Sequence, residues 1–232
     1  MGTTVEANNI NIWYEEFGDK SNETILLIMG ANANCMQWDQ KFIDRLVTNK
    51  FHVVRFDNRD VGKSTWFGRE PTFNKFLKLL PNFLLRMIVN SVFGLAVDEK
   101  GRFKFSESSP TQYDLSDMAK DAVSLMDTLK IDKAHIIGAS MGGMITQIIA
   151  LDYPERVLSI TPIMTSPGIQ NDSLSGPTKE LLEAMKKSFI FNLRGRIEDG
   201  VVEIYRQLTG SRFPFNEQEF REKLKPVISH GN

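Results

Sequence analysis

Ser140 has the surroundings a reactive hydroxyl needs: it lies in Gly138-Ala139-Ser140-Met141-Gly142-Gly143, a G-x-S-x-G pattern. A serine hydroxyl is a poor nucleophile until a sharp turn exposes it and a base takes its proton, and flanking glycines let strand and helix close around such a turn. Ahead of it, Ala134-His135-Ile136-Ile137 is short and β-branched enough for a buried strand. Behind it, Met144, Ile145, Ile148, Ile149 and Ala150 stay apolar at helical spacing until Tyr153-Pro154. Strand, sharp turn and helix is the context that presents a nucleophile in this motif. The competing reading is a Gly/Ser-rich strand-to-helix turn with an incidental hydroxyl.

Two further motifs stand upstream. Residues 23–28 form a buried-strand run that ends in Met29-Gly30-Ala31-Asn32-Ala33-Asn34, a loop of small residues. His52-Val53-Val54-Arg55-Phe56 is a second strand, followed by the turn Asp57-Asn58-Arg59-Asp60-Val61-Gly62-Lys63-Ser64. Together with the Ser140 turn, these resemble the α/β-hydrolase family. The turn, the serine motif and Tyr113-Asp114-Leu115 are most similar to aclacinomycin methylesterase-type esterases and cofactor-free haloperoxidases. The resemblance implies an acyl-ester hydrolase acting on a small molecule through a Ser140 acyl-enzyme, without a cofactor or metal. It also implies that the backbone N–H groups of Ala31 and Met141 are the oxyanion donors. The family's usual His-Gly reads Met29-Gly30 here, which leaves backbone donors intact. Two alternatives stay open: a non-catalytic small-molecule-binding relative, and a perhydrolase or acyltransferase on the same fold.

The acid and base of the triad are harder to place. In the family they follow the nucleophile in the order Asp or Glu, then His, each after a later strand. The chain instead reaches Ser229-His230-Gly231-Asn232. The resemblance therefore covers the family's N-terminal portion and lid but not its C-terminal third, and the expectation is a fragment that is nearly inactive alone. Asp172 and His230 are the weak candidates for acid and base. His52 and His135 begin their strands, at the end of the sheet away from Ser140, and read as structural.

These residues need a frame to hold them. Residues 5–7 and 10–17, separated by Asn8-Asn9, read as a hairpin. Trp38, Phe42, Ile43, Leu46 and Val47 make one amphipathic helix, and Leu115, Met118, Ala122, Leu125, Met126 and Leu129 another, with Asp114 as N-cap. Residues 157–164 supply a sixth strand, apolar and left as an open edge, with Pro162 inside it. Alternating strands and helices predict a mostly parallel α/β sheet covered on both faces. The expected layout is a hydrolase core over 1–166, with a helical insertion at 70–100, and an incomplete helical lid over 167–232. Within the insertion, Phe76, Leu77, Leu80, Phe83, Leu84, Met87 and Ile88 predict a helix pair broken near Pro81.

Composition excludes several classes. With 232 residues, 41% hydrophobic, the chain can bury a substantial core. A net charge of −1 leaves no electrostatic footprint for nucleic acid. The greasiest stretch, 73–97, is broken by Lys75, Lys78, Pro81, Asn82 and Arg86, so no membrane span is expected. The N-terminus lacks a basic start and apolar core, which predicts an unprocessed cytoplasmic protein of open oligomeric state. Cys35, the single cysteine, rules out an internal disulfide and reads as a small buried hydrophobe. Gly62-Lys63-Ser64-Thr65 matches the end of a phosphate-binding loop, but Asp57 occupies the position of its opening glycine.

Overall fold

The structure is a computed structural model and describes residues 2–68, 77–98, 104, 112–167 and 176–231. It divides into two compact units: Met1–Gly68 with Thr111–Gln170 and Ser229–Asn232, and Arg69–Pro110 with Asn171–Ile228. Residues 77–98 of the expected insertion thus share a unit with the C-terminal helices, and residues 229–231 share one with the sheet.

The first unit holds strands β1 (Thr3–Ala7), β2 (Ile10–Phe17), β3 (Thr24–Ile28), β4 (His52–Phe56), β5 (Ala134–Ala139) and β6 (Val157–Ile163). Their order across the sheet is β1-β2-β4-β3-β5-β6. β1 and β2 pair antiparallel, as do β2 and β4, while β4, β3, β5 and β6 run parallel. The opening hairpin turns on Asn8 and Asn9 at φ 50° and 59°, the left-handed pair that a two-residue turn requires and that asparagine tolerates.

β3 and β4 are buried at every position, so their sequences read as apolar runs rather than alternations. The pleat still sorts them. Leu26 and Ile28 join Val54, Phe56 and Ile136 on one face, under helices α3 (Leu115–Thr128) and α4 (Met141–Asp152). Ile25, Leu27 and Val53 face the other side, under Ile43 of helix α1 (Gln40–Thr48) and Trp38. Trp38 lies before α1, which starts one residue after its N-cap Asp39, and stacks on Phe42 at 5.8 Å. β6 pairs with β5 and is mostly exposed, with Leu158 and Ile160 open to solvent, and Pro162 is accommodated on this outer strand.

The second unit contains α2 (Asn82–Ala96), α5 (Lys179–Leu193), α6 (Ile197–Leu208) and most of α7 (Glu217–His230). Pro81 caps α2 as the predicted break requires, but nearly all of the first helix of that pair lies outside the described residues. The buried stripe of α2 is Leu85 and Val89, packed with Leu77 and Leu193, whereas Phe83 and Met87 are 70% and 60% exposed. This corrects the predicted face. α2 is apolar on several sides, so spacing alone cannot choose which side is covered. Arg194 ties the unit together by donating to the carbonyls of Lys78 and Leu80. Among the described residues, no helix is long and apolar enough to cross a membrane.

Candidate active site

Ser140 sits between β5 and α4 with φ 54° and ψ −119°, a conformation L-residues rarely adopt. Its backbone is fixed on both sides: its N–H donates to Ile163 O at 2.9 Å, and its carbonyl accepts from Gly143 N at 2.9 Å and Thr165 Oγ1 at 2.7 Å. The residue is exposed, and its hydroxyl does not cap the helix it opens. The glycines leave little alternative. A Cβ on Gly138 would lie 2.2 Å from Gly142 O, and one on Gly142 would lie 2.2 Å from Ile28 O. Backbone must therefore meet backbone for the turn to form.

The loop after β3 closes on this turn, since a Cβ built on Gly30 would be 3.1 Å from Ser140 Cβ and 3.6 Å from its Oγ. Met141 is the first residue of α4, where the N–H has no acceptor within its own helix. Ala31 and Met141 line one pocket of about 340 Å³, together with Val61, Tyr113, Leu115 and Met118. The structure thus brings Ser140, Ala31 and Met141 into one neighbourhood.

Part of that pocket's lining is polar and tied down. Arg59 makes a bidentate ion pair with Asp121, both contacts 2.6 Å and both side chains buried, and lies over the Tyr113 ring at 4.7 Å. Asp60, at φ 60°, accepts from Tyr113 Oη at 2.5 Å and from the N–H groups of Phe67 and Gly68. Burial works against the Asp60 carboxylate, but the Tyr113 hydroxyl and those two N–H groups outweigh it and hold its pKa below the usual value. Burial first, and then Asp60, push the Tyr113 phenol up to about 12. Sequence reasoning did not single out Arg59 and Asp60 as lining this pocket, nor the Arg59–Asp121 pair behind it. The signal lay in Asp60 occupying a tight turn and Tyr113 preceding a capped helix.

The three imidazoles are bonded elsewhere. His52 Nδ1 is 3.0 Å from Thr24 Oγ1, and burial first lowers its pKa. His135 meets Ser159 Oγ at 2.8 Å and Glu23 at 3.3 Å. Both start their strands at the end opposite Ser140. His230, at the end of α7, places Nε2 2.6 Å from Asp57 Oδ2, and both residues are buried. Asp172 lies outside the described residues. Asp57 also accepts from Lys63 N at 2.9 Å, so in the Gly62-Lys63 turn a carboxylate already takes an amide that a phosphate loop would offer its ligand.

This strand order, with a strained serine at the β5–α4 turn and a small-residue loop against it, defines an α/β-hydrolase framework. The alpha/beta hydrolase fold model matches residues 23–194, and the chain belongs to that family. Among individual proteins, it is 26% identical to rhodomycin D methylesterase DauP of Streptomyces sp. (strain C5), over 97% of this chain and 68% of that protein. It is also 26% identical to rhodomycin D methylesterase DnrP of Streptomyces peucetius, over 99% of this chain and 70% of that protein. A solved carboxylesterase structure from the thaumarchaeon Nitrososphaera gargenis superposes with a TM-score of 0.61 at 19% identity, covering 99% of this chain and 66% of that one. The chain thus spans about two thirds of the length of these relatives.

Proposed function

We propose that the chain carries the nucleophilic and oxyanion-binding part of a serine esterase that cleaves small-molecule carboxylic esters. The observation that carries the reading is Ser140, exposed in a strained conformation at the strand-to-helix turn. In the proposed reaction, Ser140 Oγ attacks the ester carbonyl carbon as its proton passes to a base. The carbonyl oxygen becomes an oxyanion beside the N–H groups of Ala31 and Met141, and collapse expels the alkoxide, which takes up the serine proton to leave as alcohol, and leaves an acyl-serine for water to cleave. Losing one such donor typically costs about 2.7–4 kcal/mol in the transition state. The methylesterase relatives favour ester substrates over other acyl compounds, and the largely apolar pocket favours an uncharged group there. Because His52, His135 and His230 have other partners, we expect this chain alone to acylate slowly, retaining mainly the oxyanion and binding contributions.

Prolonged incubation with p-nitrophenyl acetate, followed by peptide mass spectrometry, tests this. Acetyl-Ser140 should accumulate in the wild type and be absent from Ser140→Ala. Acylation that persists in Ser140→Ala, or none at Ser140 in the wild type, overturns the assignment.

A further inference from the structure

Cys35, Asp57 and His230, far apart in sequence, meet inside the sheet-bearing unit. They are 0%, 0% and 7% exposed. The thiol sulfur, a carboxylate oxygen and an imidazole nitrogen lie within 4.8 Å of one another. Thiolate, imidazole and carboxylate together form a donor set that selects zinc and related transition ions over magnesium or calcium.

We propose that these three side chains form a binding site for a zinc-class divalent ion, which fastens residues 229–231 to the sheet. The His230–Asp57 pair needs little rearrangement. His230 Nε2 and Asp57 Oδ2 are 2.6 Å apart. Ligand atoms on a tetrahedral zinc stand roughly 3.3 Å apart, given bonds of about 2.0–2.2 Å, so the pair must part by less than about 1 Å. Supporting contacts are in place. The Asp57 carboxylate is held by the N–H groups of Cys35 and Lys63, each at 2.9 Å. The His230 ring is fixed edge-on to Trp13, with centroids 4.2 Å apart. Asn34 Nδ2 donates to Gly231 O at 3.0 Å, holding the same end of the chain. Such outer contacts orient ligands and raise affinity. Among the described residues, no fourth Cys, His, Asp or Glu joins the group, so water completes the coordination.

Charge favours the exchange. With a neutral imidazole, the ion displaces only the thiol proton and the buried cluster goes from −1 to zero. With an imidazolium, two protons leave and the cluster remains at zero. Either way the interior ends without an unpaired charge. Without an ion, burial first and the Asp57 carboxylate second favour the Cys35 thiol over the thiolate.

Cobalt(II) is the probe, titrated into the full chain after chelator treatment. One ion per chain should bind, with a thiolate-to-cobalt charge-transfer band, the intense visible bands of four-coordination, and proton release in unbuffered solution. Zinc should displace it and raise Tm. Cys35→Ser should lose the charge-transfer band, and His230→Gln should weaken binding by at least the roughly 10–100-fold that even outer contacts contribute. Ser140→Ala should bind cobalt unchanged, which separates this site from the esterase reading. No binding, a pale six-coordinate spectrum, or an undiminished band in His230→Gln overturns the proposal. If either variant fails to fold, the wild type still decides: zinc that leaves the Trp13-dependent fluorescence and Tm unchanged also overturns it.

Discussion

Ser140 holds a backbone conformation that costs a non-glycine residue on the order of 1–3 kcal/mol. The surrounding residues impose it, and Gly142 shows how tightly. Alanine there would gain about 1 kcal/mol of helix propensity. It would also place a methyl 2.2 Å from Ile28 O, a backbone atom that cannot swing away. Overpacking of this kind costs about 1–3 kcal/mol, so Gly142→Ala should lower the urea midpoint and, by moving the end of β3, slow acylation of Ser140. The turn at Ser140 was readable because so sharp a strand-to-helix turn needs glycine neighbours in fixed positions. The Asp60–Tyr113 pair was not, since nothing local connects residues 53 apart. That pair gives a pH prediction. The Asp60 pKa lies below the ordinary 3.8, so its contribution is present above 3.8 and is lost as pH falls through the lower folded value. The Tyr113 pKa rises from 10.0 to about 12, so its contribution is complete below 10 and is lost as pH climbs toward 12. The stability difference between wild type and Tyr113→Phe, from urea midpoints, should therefore be flat across the middle range and shrink at both ends.

At the level of elements, α3 shows how a short sequence signal becomes a wall of the pocket. Asp114 accepts from Ser116 N and Asp117 N, and Asp117 returns a bond to the Asp114 N–H, forming a complete capping box. This start fixes which turn of α3 carries Leu115 and Met118 to the pocket. Asp114→Ala should cost about 1 kcal/mol by chemical denaturation, within the 0.5–2 kcal/mol range for lost caps. α3 and α1 could be recognised because each has one polar and one apolar side. The buried face of α2 could not, because Phe83 and Met87 are as apolar as Leu85 and Val89, and only Leu77 and Leu193 decide which pair is covered.

Across the molecule, long-range polar contacts tie segments that the sheet leaves separate. Arg59, after β4, is paired with Asp121 in α3, and Asn8 of the first hairpin donates to the same carboxylate at 2.7 Å. Arg59→Met leaves Asp121 buried with only Asn8 as hydrogen-bond partner among the described residues, and should cost about 3–5 kcal/mol; Arg59→Met with Asp121→Leu should recover part of it, measured as a thermodynamic cycle. The amino-acid sequence by itself determined the mostly parallel sheet, the hairpin and the strand–serine–helix turn, because period, propensity and glycine placement act over a few residues. Tertiary structure alone decided that residues 77–98 share a unit with the C-terminal helices and that His230 faces Asp57 and Cys35 rather than Ser140. Those outcomes depend on which distant surfaces bury one another, and a contact between residues 173 positions apart leaves no trace in local spacing.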